Sequence, residues 1–153
     1  LENASGASAL DLYCGVGLFT LPLARKFETV TGVEANREAV DFAEKSAANA
    51  RIENVEFFAE SVDDFLAENE LKNIDFVLLD PPRAGAERRT IENIIKLKAR
   101  EISYISCEPS VLARDLRMFV DAGYSIDSIT ALDLFPQTHH VETIVRLKRK
   151  TRG

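Results

Sequence analysis

A chain of 153 residues, 46% of them hydrophobic and 29% charged, is long enough for one domain with a buried core and too short for a catalytic domain plus a complete substrate-recognition domain. No apolar run approaches the ~20 residues of a membrane-spanning helix, and the composition is not that of a disordered chain. A net charge of −6, from 19 Lys and Arg against 25 Asp and Glu, opposes contact with a polyanion, so this chain alone is expected to bind nucleic acid poorly.

The chain opens Leu1-Glu2-Asn3 without methionine, carries no signal-peptide pattern and enters a strand almost at once, so it reads as a piece of a longer protein. Its two cysteines, Cys14 and Cys107, stand far apart in different motifs. They support neither a disulfide framework nor a multi-thiolate metal site, and the expected setting is reducing and cytoplasmic, with no metal.

Short β-rich apolar runs alternate with amphipathic stretches throughout, the pattern of an α/β fold with a mostly parallel sheet and crossover helices. The first strand is expected over residues 8–12. It leads into Tyr13-Cys14-Gly15-Val16-Gly17 and a helix over 18–26. A turn on two glycines lets backbone N–H groups approach a ligand carboxylate or phosphate at the positive end of a helix, though glycines serve many ordinary turns as well. Leu18-Phe19-Thr20 stand where a dinucleotide binder has its third glycine, which argues against nicotinamide cofactors.

A strand over 29–34 ends on Glu34, where a carboxylate can accept hydrogen bonds from a ribose diol or simply meet solvent. Asn36 is placed to cap the next helix, over 37–50, whose Ala39, Phe42, Ala43, Ser46, Ala47 and Ala50 recur at helical spacing and are expected to pack on the sheet. After a strand over 54–58, Glu60-Ser61 fall where an adenine edge lies in such folds. Ser61 is equally a helix cap, with Asp64 three residues on, for a helix over 62–68.

The strand over 74–80 delivers Asp80-Pro81-Pro82-Arg83-Ala84-Gly85 to the carboxyl edge of the sheet, the usual ligand crevice, with two prolines stiffening the turn. A helix over 87–97 and a strand over 101–106 follow. Cys107 then sits at the same edge just before a helix over 111–122, where a thiolate is favoured by the helix N-terminus and nearby Arg; an isolated cysteine is otherwise a small core filler, the role expected of Cys14.

The last strands, over 124–134 and 141–148, are separated by Pro136-Gln137-Thr138-His139-His140, too short for a helical crossover, so they are expected to be antiparallel. Glu142 is a candidate general base. His139 and His140 lack a third ligand at metal spacing and read as loop hydrogen-bonding or RNA-contacting groups. The tail Arg146, Lys148, Arg149, Lys150 and Arg152 reads as a solvated strand end or as a phosphate contact.

Five runs carry a resemblance: Asp11-Leu-Tyr-Cys-Gly-Val-Gly17, Val33-Glu34, Leu79-Asp-Pro-Pro-Arg-Ala-Gly85, Ile105-Ser-Cys-Glu-Pro109 with Leu112-Ala-Arg-Asp115, and Phe135-Pro-Gln-Thr-His-His-Val-Glu142. In this order they resemble the catalytic domain of the RNA 5-methyluridine methyltransferases, which act on ribosomal and transfer RNA uridines. Glu108 stands where that family often has Asn, and Pro82 where some members have Ala. The resemblance runs from about Ala9 to Arg149 and implies a Rossmann-like class I methyltransferase fold with a seven-stranded sheet and an antiparallel last strand; residues 1–153 are expected to form one domain.

It also implies that Tyr13, Gly15, Gly17, Glu34, Ser61 and Asp80 surround S-adenosylmethionine, with Asp80 also near the target base, Cys107 as nucleophile and Glu142 as proton acceptor. RNA would be bound mainly by amino-terminal parts absent from this chain. With two cysteines the chain itself cannot hold the iron–sulfur cluster that some family members carry in those parts. Two other classes share parts of the pattern. A methyltransferase acting on an exocyclic amine also uses Asp-Pro-Pro, usually before an aromatic residue rather than Arg83, and a non-catalytic nucleotide-binding domain can use the same fold.

Overall fold

The computed structural model describes residues 4–133 and 141–150. The run Phe135 to His140, with its paired histidines, and Arg152 of the basic tail lie outside the described residues.

In chain order the elements are β1 (Gly6–Leu12), α1 (Thr20–Ala24), β2 (Phe27–Glu34), α2 (Arg37–Asn49), β3 (Val55–Ala59), α3 (Val62–Glu68), β4 (Phe76–Leu79), α4 (Arg88–Leu97), β5 (Glu101–Ser106), α5 (Pro109–Asp121), β6 (Tyr124–Leu132) and β7 (Glu142–Arg149). The seven strands form one sheet in the order β3-β2-β1-β4-β5-β7-β6. Strands β1 to β5 are parallel, and β7 runs antiparallel to both β5 and β6. The short link before β7 dictates that reversal, as expected.

The chain moves outward from β1 to β3 and then returns to the other side of β1 as β4. Where strand order reverses in this way, the crossovers diverge and leave a crevice at the carboxyl ends of the two strands. Asp11-Leu12 and Asp80 border that crevice: Leu12 pairs with Leu79, and the Asp80 amide donates to the Leu12 carbonyl at 3.3 Å.

Strand alternation divides the core between two faces. Leu10, Leu12, Val77, Leu79, Ile102, Tyr104, Val145 and Leu147 bury one face with residues of α3, α4 and α5. Ala9, Val30, Phe76, Leu78 and Ile105 bury the other with Leu23 and Ala24 of α1.

Three local expectations change. Helix α1 starts at Thr20 rather than residue 18, because Gly15 and Gly17 adopt φ of +53° and +84° and hold the chain in turns until then. Helix α5 starts at Pro109 rather than residue 111, since proline suits the first helical turn, where no N–H partner is required. In α2 the buried stripe is Val40, Ala43 and Ala47. Phe42 is 57% exposed, with the Lys45 ammonium 5.4 Å from its ring centroid, and Ser46 and Ala50 are exposed too. With small alanines as most of its apolar residues the helix offers little apolar contrast, and its single β-branched residue, Val40, is fully buried.

Candidate active site

At the crevice, Tyr13 leaves β1 with φ +63°, a left-handed conformation that costs a side-chain-bearing residue on the order of 1–3 kcal/mol. Cys14 follows, buried against the open side of Gly32, where a Cβ would lie 3.1 Å from the Cys14 sulfur. Burial, with the charges of Asp11 and Glu34, pushes the Cys14 thiol up to about 12, so it is the inert filler expected. Gly17 is tucked against α2: a Cβ there would lie 3.3 Å from that of Ala43 on a backbone only glycine adopts without strain.

Glu34 is half-buried and faces this turn. Its Oε2 accepts from the Gly15 amide at 3.1 Å and its Oε1 from the Asn36 amide at 2.9 Å. A carboxylate has about four acceptor positions, so both oxygens retain capacity for a ligand hydroxyl. Ser61 caps α3, accepting from the Asp64 amide at 3.1 Å and donating to Asp64 Oδ2 at 2.6 Å. Tyr13, Glu34, Ser61 and Asp80 line one cavity of about 600 Å³, together with Pro81, Pro82 and other neighbours. That volume lies within the roughly 300–1,000 Å³ of small-molecule sites. Gly15 and Gly17 lie behind this wall; Gly15 acts through its bond to Glu34.

Strand ends bring the reactive candidates to one edge. Ile105 pairs with Ile144 and Ser106 with Thr143 across β5 and β7; Cys107 directly follows β5, and Glu142 is the first residue of β7. Side chains alternate along a strand, so Glu142 shares the face of Ile144, and Asp11 that of Ala9. Asp80 directly follows β4. Asp80, Cys107 and Glu142 therefore stand at strand ends on one edge of the sheet, with Asp11 buried within β1.

Their environments differ. Cys107 is half-buried and stands directly before Glu108, the N-cap of α5, whose first turn holds no acid. Burial raises the Asp80 carboxyl to about 6, and the Glu142 charge adds to the rise. Glu142 Oε2 is buried without a hydrogen-bond partner among the described residues. Cys107 and Glu142 do not line the 600 Å³ cavity. Glu142 is linked to it through Asp80, which lines the cavity and feels the Glu142 charge.

Asp11 was not singled out from sequence, although a lone charge inside the apolar strand Ala9-Leu10-Asp11-Leu12 is a visible signal. It is 1% exposed; Thr20 Oγ1 donates to its Oδ2 at 2.6 Å, while Oδ1 has no partner among the described residues. Burial above all, and the Asp80 charge, raise its carboxyl to about 7. In the basic tail, Arg146 pairs with Glu101 at 2.9 Å and Lys148 with Asp127 at 3.0 Å. Among the described residues no three His, Cys, Asp or Glu cluster as metal ligands, and no helix is long and apolar enough to cross a membrane.

Residues 1–150 match the family described as tRNA (uracil-5-)-methyltransferase. The chain belongs to this family. It is 42% identical over 151 residues to a Streptomyces avermitilis protein described as an uncharacterized RNA methyltransferase, covering 97% of this chain and 34% of that one. It is 40% identical over 152 residues to the 23S rRNA (uracil(1939)-C(5))-methyltransferase RlmD of Haemophilus influenzae, covering 98% of this chain and 34% of that one. A solved structure of the Pyrococcus abyssi tRNA (uracil-54, C5)-methyltransferase in complex with S-adenosyl-L-homocysteine superposes with a TM-score of 0.83 at 37% identity, covering 95% of this chain and 35% of that one. The chain thus spans about a third of the length of these relatives. The seven-stranded sheet with its reversed β7 is the Rossmann-like fold of class I methyltransferases.

Proposed function

We propose that this chain is the S-adenosylmethionine-dependent catalytic domain of an RNA uridine-5 methyltransferase, spanning residues 1–153 of a longer protein whose other parts bind most of the RNA. The observation that carries this reading is that Asp80 lines a nucleoside-sized cavity and lies within reach of the Glu142 charge, with Cys107 directly after the neighbouring strand β5. The family and its relatives named for uracil-C5 methylation of ribosomal and transfer RNA support the substrate class. The acidic balance of this chain agrees with phosphate contacts being made elsewhere.

The residues present fit the cofactor. The cavity has the size of a nucleoside site, Glu34 keeps acceptor capacity for ribose hydroxyls, and Ser61 and Asp80 line the same walls. When bound there, S-adenosylmethionine supplies an electrophilic methyl group on sulfur. Tyr13 and Asp80 line the cavity that would hold it.

C5 of uracil is a weak nucleophile, which is why a cysteine is needed. The Cys107 thiolate adds to C6, and the electron pair of the C5–C6 double bond moves into the enolate. C5 would then take the methyl group, a new C–C bond forming as the methyl–sulfur bond of the donor breaks and its electron pair stays on sulfur, leaving S-adenosylhomocysteine. The Glu142 carboxylate accepts the proton from C5, and the returning electron pair restores the double bond and expels the Cys107 thiolate. Cys107 directly after β5 and Glu142 at the start of the neighbouring β7 suit the two roles, because C6 and C5 are adjacent atoms. The target base enters only if unpaired or flipped from its helix.

The test is tritium release from RNA labelled at C5 of uridine, using the full-length protein, with binding of S-adenosylhomocysteine and NAD compared by calorimetry. The expected result is S-adenosylmethionine-dependent release that is abolished in Cys107→Ala, with S-adenosylhomocysteine bound in preference to NAD. Tritium release that survives the loss of Cys107 would overturn the mechanism.

A further inference from the structure

The loop after Asp80 runs between two cavities. Ala84, Gly85 and Glu87 line the 600 Å³ cavity on one side and a second cavity of about 660 Å³, toward α4 and α5, on the other. Between them the loop is held by the buried Ala86 and by polar contacts with β5 and α5.

Asp115 of α5 is 1% exposed. Its Oδ2 accepts from the buried Tyr104 hydroxyl at 2.5 Å and from the Ala86 amide at 3.2 Å, and the Ala86 amide also lies 3.3 Å from the Tyr104 oxygen. Its Oδ1 accepts from Arg114, at 2.7 Å from Nη2, and the same nitrogen donates to the Ala84 carbonyl at 3.2 Å. Gly85 sits in the middle of this contact with φ +83°. A Cβ there would lie 2.4 Å from Val111 Cγ1 and 2.6 Å from Asp115 Oδ2.

We propose that Asp115, held by Tyr104 and Arg114, is a positioning residue that fixes the loop over residues 82–86 as the cofactor wall and ties it to the helix following Cys107. The inference rests on the methyltransferase reading above. Asp80 begins the loop, and Cys107 stands two residues before α5, so one buried carboxylate sets the spacing between the elements carrying both groups. The catalytic rim and the cofactor cavity then cannot shift independently.

The test compares Asp115→Ala, Asp115→Asn, Tyr104→Phe and Gly85→Ala in the full-length protein, at a temperature where circular dichroism shows each fully folded. S-adenosylhomocysteine affinity is measured by calorimetry and loop opening by hydrogen exchange at the Ala86 amide. Asp115→Ala is expected to weaken binding by about tenfold, as for loss of a hydrogen bond to a charged group, and to speed Ala86 exchange while β1 and β2 amides keep their protection. Asp115→Asn, which keeps an acceptor oxygen, is expected to restore affinity to within about threefold of the parent. Gly85→Ala approaches the same contact from the loop side and reproduces the loss, so the test stands if Asp115→Ala does not fold.

Folded variants that bind S-adenosylhomocysteine like the parent, or that leave Ala86 exchange unchanged, would overturn the proposal. A parent protein that binds no S-adenosylhomocysteine would instead sink the methyltransferase reading, while Ala86 exchange still decides whether Asp115 holds the loop.

Discussion

Asp80 and Glu142 approach each other from either side of β5, near enough for the Glu142 charge to add to the burial that raises Asp80 to about 6. Replacing Glu142 by Gln removes the second cause and leaves the first. The Asp80 carboxyl should then titrate lower than in the parent but still above its ordinary value, as read from the carboxyl carbon chemical shift across pH. The same variant should lose roughly 10²–10⁴-fold in turnover and accumulate protein bound covalently to RNA, because the C5 proton has no acceptor.

Asp11 makes stability depend on pH in an unusual direction. Its carboxyl titrates near 7 in the fold and near 3.8 when unfolded, so the native state binds the proton more tightly. That stabilisation is complete below about pH 4 and is lost as pH rises through about 7; linkage puts it on the order of 4 kcal/mol. Denaturant unfolding should therefore show the parent losing stability between pH 5 and 8 by more than Asp11→Asn does. Parallel pH profiles of the two proteins would contradict the assignment.

The two thiols should separate cleanly. Cys14 is buried and pushed up to about 12, whereas Cys107 is half-buried at the rim. Iodoacetamide at pH 8 should label Cys107 alone in the folded protein and both residues in denaturant, as followed by peptide mass spectrometry. Labelling of Cys14 in the folded protein would show that the glycine turn opens.

Ser61 has a structural duty apart from any ligand. Ser61→Ala removes the cap of α3 and should cost about 1 kcal/mol, measured by chemical denaturation. Ser61→Thr keeps a capping oxygen and should recover most of it. If the hydroxyl also meets the adenine, S-adenosylhomocysteine affinity should follow the same order.

The sheet was legible because its strands alternate with helices, and the reversal of β7 because five residues cannot carry a crossover. The shared edge of Asp80, Cys107 and Glu142 was legible as placement at strand ends; that β7 lies beside β5, with β6 outermost, required the sheet order. Phe42 misled because an aromatic ring at helical spacing looks like core, yet its neighbour Val40 holds that position. Asp115 hid in plain view. It lies on the buried stripe of Leu112, Leu116 and Phe119, where an acid demands a partner, but the partners Tyr104 and Ala86 come from other elements.

The account turns on a bond between the Cys107 sulfur and C6 of the target uridine. RNA containing 5-fluorouridine measures it directly, since a methylated fluorinated adduct has no C5 proton to lose and cannot release the enzyme. With S-adenosylmethionine present, a covalent protein–RNA complex should form, map to Cys107 by mass spectrometry and be absent from Cys107→Ala. An adduct that persists in Cys107→Ala, or none in an active parent protein, would contradict it.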